Sequence, residues 1–463
     1  MSTSPKIAND LQLPNNTSID ESLMPNTEKD RTVGPVSYMF MWAGDGTNMG
    51  NMTLGASIVI AGTATLNLFQ SLAAAIVSIL IISSLFVLND RLGYKEGIPY
   101  VVQLRMSFGL KGTIISALLR AVPAVIWYGV QSWIGGTALN EILKVVTSGS
   151  FDNIFICFVV LQIIQILLSL YGFTAIKWVE TVASTAIMIA LVYVFGILIT
   201  SYREDLAQNL VQVEGTWGLA FFGFIMVFLG NYAAIFLNSC DYSRELKAGM
   251  SDGKRFLLYF TPNTLAYGFV LMVGVMLASV TGITNPAQAL PIVLDNPYFT
   301  VVISVFIILA VIATNMIANI VPPAYVFTLL TKAKYKISVT VVGLLAIASF
   351  PWILVKEDNA RGLDLFILIY SAFLGPIIAI LLVEYYILRK RTVNITELYD
   401  EDGMFVGYNE CALIALFIGA GAAFIQVDLA WILGLITSGI SYLLLMKFAF
   451  KNSKFKKGTI FEE

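Results

Sequence analysis

The chain contains no histidine. That absence excludes imidazole general bases, serine–histidine triads and histidine-ligated zinc or iron from anything this polypeptide assembles by itself. Cysteine is nearly as scarce: Cys157, Cys240 and Cys411 lie far apart, each in or beside an apolar stretch. Reduced, buried thiols fit that placement better than a disulfide frame or a metal cluster. Charged residues make up only 13% of the 463, against about 25% in soluble domains. Residues 1–33 carry no apolar run ahead of a cleavage site, so no signal peptide is expected.

What is present is oil. Hydrophobic residues reach 57% and the mean hydropathy is +0.80. Apolar segments of about 20 residues, each able to cross a hydrocarbon core of roughly 30 Å, recur along nearly the whole chain. The expected fold is an all-α membrane protein of about twelve transmembrane helices, arranged as two inverted five-helix repeats plus two C-terminal helices. Residues 1–33 read as a disordered cytoplasmic tail, 34–199 as the first repeat and 200–391 as the second. Residues 392–448 read as a loop and two peripheral helices, and 449–463 as a basic cytoplasmic tail.

Loops on one side carry many cations, among them Arg91, Lys95, Arg105, Lys111, Arg244 and Arg389, whereas only Lys144, Arg203, Lys356 and Arg361 fall on the other. The positive-inside rule then puts both termini in the cytoplasm and the protein in the inner membrane.

Inside the first span, Gly44-Asp45-Gly46-Thr47-Asn48-Met49-Gly50 interrupts an apolar helix with poor helix formers. A break at mid-membrane is expected there, and a second at Gly230-Asn231-Tyr232 in the sixth span. Broken helices at corresponding positions point to a transporter's binding site, because freed backbone groups must coordinate something other than lipid. The competing explanation is that these glycines only allow close helix packing.

In the third span Trp127 and Gln131 are four apart and share a helical face. An indole stacks on a flat ring, while the amide donates and accepts at once, matching the N–H and C=O edge of a lactam-like heterocycle. In the eighth span Asn315 and Asn319 repeat the spacing, next to Thr314 and ahead of Pro322-Pro323, which weakens the backbone ladder. Asp45 is the only carboxylate near the middle of any span. It can balance a cation, carry a proton or cap the second half of the broken helix, and the sequence does not separate these roles.

Taken together, Gly34-Pro35 with Trp42 through Asn48, Leu119-Arg120 through Trp133, Asn238 through Arg244, Thr314-Asn315 through Asn319, and Gly375-Pro376 through Tyr385 resemble the nucleobase:cation symporter-1 family, whose members carry uracil, cytosine, purines, allantoin and hydantoins. The resemblance implies substrate bound between the first, third, sixth and eighth helices. Trp127 would stack on the ring, Gln131 and Asn319 would bond its edge, and Asn48 would face the same cavity. Many members have a tryptophan where this chain has Tyr232, so the second stacking wall is smaller here. The family's sodium site maps to the carbonyls of Gly44 and Thr47 and to Ala310, Ala313 and Thr314, where one expected hydroxyl is missing. A hard cation wants several oxygens, so H⁺ competes with Na⁺ as the coupling ion. The resemblance also implies a tenth helix that flexes near Gly375-Pro376 to close over the site.

The resulting expectation is a secondary active transporter with no cofactor, no nucleic-acid partner and no catalytic residues, a monomer importing a nucleobase or related planar heterocycle by cation-coupled alternating access. A symporter of the same fold for an amino acid or other small solute would need a charged pocket. A channel would need a ring of charges or a filter-like sequence, and a membrane enzyme a catalytic cluster.

Overall fold

The computed structural model describes residues 23–60, 63–170, 173–355, 362–450 and 453–462. Residues 1–22 of the expected tail, and Lys356 and Arg361, lie outside them. Regular structure is helical apart from the two-residue strands β1 (Val59–Ile60) and β2 (Thr63–Ala64).

The first half contains α1 (Pro35–Gly46), α2 (Met49–Ala56), α3 (Leu68–Asn89), α4 (Arg91–Glu96), α5 (Tyr100–Val146), α6 (Ile154–Ser169) and α7 (Phe173–Ser201). The second contains α8 (Arg203–Leu206), α9 (Leu219–Leu237), α10 (Ser239–Ser243), α11 (Asp252–Pro262), α12 (Phe269–Thr281), α13 (Pro286–Leu294), α14 (Pro297–Thr314), α15 (Val321–Thr331), α16 (Tyr335–Ile347), α17 (Pro351–Leu354) and α18 (Gly362–Leu382). Helices α19 (Ile395–Tyr399), α20 (Glu410–Ala423) and α21 (Ala430–Phe448) follow.

Among the described residues seven helical stretches are long and apolar enough to cross a bilayer, and an eighth if Thr185–Ser201 and Arg203–Val211, bent by 87°, form one span. With the shorter apolar helices α6, α16 and α20 and the interrupted pair α1–α2, the set is consistent with twelve crossings. Phe69, Ile76, Ile163, Leu167 and Ile440 point outward from these helices, as expected of a surface that meets acyl chains.

The first helix breaks where the sequence says it should. Thr47 (φ −83°, ψ 10°) and Asn48 (φ −71°, ψ 151°) separate α1 from α2. The sixth helix does not break: Gly230-Asn231-Tyr232 lies inside the continuous α9, which corrects the expectation. Gly230 is there for packing. A Cβ on it would collide with Ser371 Oγ and fall 2.8 Å from Ile367 Cγ2 on α18. Irregular backbone appears instead in the eighth span, as a π-turn over Asn315–Ile320 between α14 and α15. Pro322 and Pro323 have no N–H to offer the preceding turn, so the ladder widens ahead of them. Helix α18 likewise runs unbroken through Gly375-Pro376, where it packs on α21.

Segments read as tails are partly docked. Val33 N donates to Glu245 O at 3.1 Å and Lys247 N to Val33 O at 2.9 Å, while the Tyr399 hydroxyl donates to Leu23 O. At the other end Phe455 is buried, and Ile460 N donates to Leu388 O at 2.9 Å. Few residues are involved, and each is fixed by backbone bonds that composition does not reveal.

At the cation-rich side a buried network ties α1, α3 and α11 together. Asp90 accepts from Arg255 Nε at 3.2 Å and from the Tyr259 hydroxyl at 2.8 Å, and Tyr259 in turn meets the Tyr38 hydroxyl at 2.8 Å. The Arg255 guanidinium also lies 4.3 Å from the centre of the Tyr94 ring. Asp90→Ala leaves the buried Arg255 guanidinium only the half-exposed Asp252 carboxylate, 3.1 Å from its Nη2, and we expect it to destabilise the purified protein by about 1–3 kcal/mol. A melting curve in detergent checks this, with Arg255→Ala in the same range.

Candidate functional site

The first-helix break is held open by its own side chains. Asn48 caps α2, its Oδ1 accepting from Asn51 N at 2.9 Å, while its Nδ2 donates to Asp45 O at 2.6 Å. The capping role open to Asp45 in the sequence is therefore taken by Asn48. Asn51 bridges the gap as well, donating to Gly46 O at 3.0 Å and accepting from Asn231 Nδ2 on α9 at 2.8 Å.

Helix α5 meets this break directly. Gln131 Nε2 donates to Asn48 Oδ1 at 2.9 Å, which leaves Gln131 Oε1 buried without a partner in the protein. One helical turn earlier, Trp127 Nε1 donates to the Tyr370 hydroxyl on α18 at 3.2 Å. Trp127, Gln131 and Asn48, expected together from spacing and resemblance, are thus brought together.

The two asparagines of the eighth span separate in role. Asn319 donates through Nδ2 to Asn315 Oδ1 at 2.9 Å and stands on the π-turn packed against α5. Asn315 is fully buried behind it, donating to Gln165 Oε1 at 2.8 Å and Ser132 Oγ at 3.2 Å. Its amide is used within the protein, so it supports Asn319 rather than offering a free edge. Tyr232 is also fully buried, its ring 4.7 Å from that of Tyr267. Its hydroxyl lies beside the Asp45 carboxyl without a well-formed hydrogen bond, and Asp45 Oδ2 is equally unpartnered.

The residues mapped to a cation site are all buried, Gly44 on α1 and Thr47 just past its end, Ala310, Ala313 and Thr314 on α14, and the two helices pack on each other. The Gly44 carbonyl already accepts from Thr47 Oγ1 at 2.8 Å and Thr47 N at 3.1 Å. With that oxygen engaged and a methyl at Ala313 where a hydroxyl is expected, the donor set is thin for a sodium ion.

Three residues were missed by sequence reasoning. A Cβ on Gly50 would fall 2.8 Å from Gln131 Nε2, 3.0 Å from Trp127 Cζ3 and 3.1 Å from Asn48 Oδ1, so only glycine leaves this pocket its shape. The glycine-rich run pointed there, but was read for helix breaking alone. Phe366 and Tyr370 on α18 face Trp127, with Phe366 at 6.2 Å centroid to centroid. Their four-residue spacing is the available signal.

Residues 25–446 match the family model described as permease for cytosine/purines, uracil, thiamine, allantoin. A hydantoin permease of Microbacterium maritypicum is 26% identical, over 94% of this chain and 90% of its own length. An allantoin permease of Bacillus subtilis is 29% identical, over 92% and 93%. Mhp1, a nucleobase-cation-symport-1 family transporter in a closed conformation with bromovinylhydantoin bound, superposes with a TM-score of 0.83 at 24% identity, covering 94% of this chain and 97% of that one. With the family model spanning nearly the whole length, the chain belongs to the family of permeases for cytosine and purines, uracil, thiamine and allantoin.

Proposed function

We propose that this membrane permease, which is not an enzyme, binds a small, neutral, planar nitrogen heterocycle of the hydantoin, allantoin or nucleobase type against the indole of Trp127, beside Gln131. The observation that carries this reading is the unspent acceptor at Gln131 Oε1, buried beside an indole face while Nε2 is held by Asn48. A buried acceptor without a donor is costly. A ring N–H offered in the plane of the stack removes that cost and fixes the ring's orientation. Asn319 offers a second amide from the eighth helix, and Asn48 holds Gln131 in register.

The ring crosses unchanged, by alternating access in the inner membrane with both termini cytoplasmic. A guest drives that motion only by binding the closed state better than the open ones, so contacts that the ring itself makes only on closure supply the bias. A small cation, Na⁺ or H⁺, moves with the ring, and the Asp45 carboxylate supplies the negative charge at the first-helix break. Asp45→Asn is expected to abolish concentrative uptake while leaving exchange of internal for external substrate measurable. Parallel uptake curves with a sodium gradient alone and a pH gradient alone identify the ion.

Uptake of a labelled ring, with hydantoin, allantoin, uracil, cytosine and hypoxanthine as competitors, tests the substrate class. Inhibition by one or more of these neutral rings is the expected result. Inhibition only by charged amino acids contradicts it.

A further inference from the structure

Arg120 takes no part in the site as described. It lies on α5 two helical turns before Trp127, on the same face, and is buried. A guanidinium at that depth is expensive unless paired, yet none of the ion pairs among the described residues includes it. Its donors go to backbone instead. Nε donates to Ala234 O on α9 and Nη2 to Ala318 O on the π-turn at 3.5 Å, while Nη1 has no partner in the protein.

Both carbonyls are ones their own helices leave unsatisfied. Ala318 O looks to the N–H of residue 322 in an α-helix, or of residue 323 in a π-turn, and both are prolines. Ala234 O looks to Asn238 N, which donates to Ile235 O at 3.0 Å instead. Ala234 stands two residues after Tyr232, and Ala318 immediately precedes Asn319. A single side chain of the third span therefore completes the backbone of the sixth and eighth spans beside the site. Arginine suits this task because its planar fork carries separate donors fixed in direction, which an ammonium group does not.

We propose that Arg120 is a positioning residue that braces the site, holding the end of the Tyr232 helix and the Asn319 turn against the Trp127–Gln131 face. Its unpaired Nη1 is the donor left to rebind a carbonyl when the helices shift. The inference rests on the transport reading for its kinetic consequence, but not for its structural one.

Two readouts test it in proteoliposomes. The first is the split between KM and maximal rate for the ring that wild type carries best. The second, which needs no substrate, is the rate at which a small maleimide labels Cys240 in a C157S/C411S background. Cys240 follows the end of α9 that Arg120 holds and is buried where α10 packs on α4, its thiol donating to Asn89 O at 3.3 Å and accepting from Gly93 N at 3.2 Å.

Arg120→Gln is expected to raise KM about tenfold, as a misplaced binding group does, and to speed Cys240 labelling. Arg120→Lys, which keeps the charge but not the fork, is expected to fall between it and wild type in both. Wild-type KM and labelling in Arg120→Gln, or less folded protein with KM and labelling unchanged, contradicts the brace. Should Arg120→Gln fail to reach the membrane, Arg120→Lys decides: changes in both readouts support the brace, and wild-type behaviour in both rejects it. A wild-type protein that carries no heterocycle instead defeats the transport reading, and Cys240 labelling then still tests the brace.

Discussion

Gln131→Ala and Trp127→Ala should each bring uptake at low substrate to background while the protein still reaches the membrane. Removing the indole forfeits a stacking face, worth about 1–3 kcal/mol per ring when such aromatics are truncated, or roughly ten- to a hundredfold in affinity. Removing the amide has two effects. The guest's N–H loses its acceptor, at about 1–3 kcal/mol for a buried unsatisfied group, and Asn48 Oδ1 loses the donor that ties the first-helix break to α5. Trp127→Phe keeps a flat face but loses the bond to Tyr370, so it should retain measurable uptake with a raised KM. Asn319→Ala should impair uptake as well, since Asn319 carries the nearer amide of the eighth span. Initial-rate uptake with membrane abundance measured on the same cells checks the series, and unchanged transport in all of the alanine variants removes the proposed pocket.

The second large effect is expected from one methyl group. Gly50→Ala places a Cβ 2.8 Å from Gln131 Nε2 and 3.0 Å from Trp127 Cζ3, so both binding side chains must shift or the helix must. A displacement of about 1 Å at a binding group costs on the order of a hundredfold where geometry is decisive. Alanine is also the better helix former by about 1 kcal/mol, so α2 itself is not weakened. Transport should collapse with thermal stability preserved, a separation that a general folding defect does not produce. Wild-type KM in Gly50→Ala means that the Trp127–Gln131 face is not where the ring sits.

Much of this was legible in the sequence because the bilayer leaves few choices. Backbone must be satisfied internally, so long apolar runs are helices, and a run such as Gly44 through Gly50 has no reason to be there unless the helix stops. Face-sharing at four-residue spacing found Trp127 with Gln131, and in the structure Gln131 is bonded to Asn48, which the resemblance put in the same cavity. The same rule was too coarse for Asn315 and Asn319. Spacing puts them on one face but not at one depth, and only the packing of α5 and α6 against the π-turn shows which amide is spent.

Glycine was the ambiguous letter. At Gly46 it ends a helix where a Cβ would fall 2.8 Å from Tyr267 N, whereas at Gly230 it permits close approach to α18 inside an unbroken one. Composition cannot tell these apart, because the difference lies in what stands opposite. Arg120 was quoted only as part of a motif, since the carbonyls it completes come from turns that are distant in sequence.

The fold leaves the cargo open, because one scaffold hosts many functions and the site decides. The most direct measurement is uptake by purified protein in sealed liposomes, offered labelled hydantoin, allantoin, uracil, cytosine and hypoxanthine beside a set of charged metabolites. The account predicts accumulation of at least one neutral ring, lost in Gln131→Ala. Indifference to every ring, together with accumulation of a charged solute that survives Gln131→Ala, contradicts it.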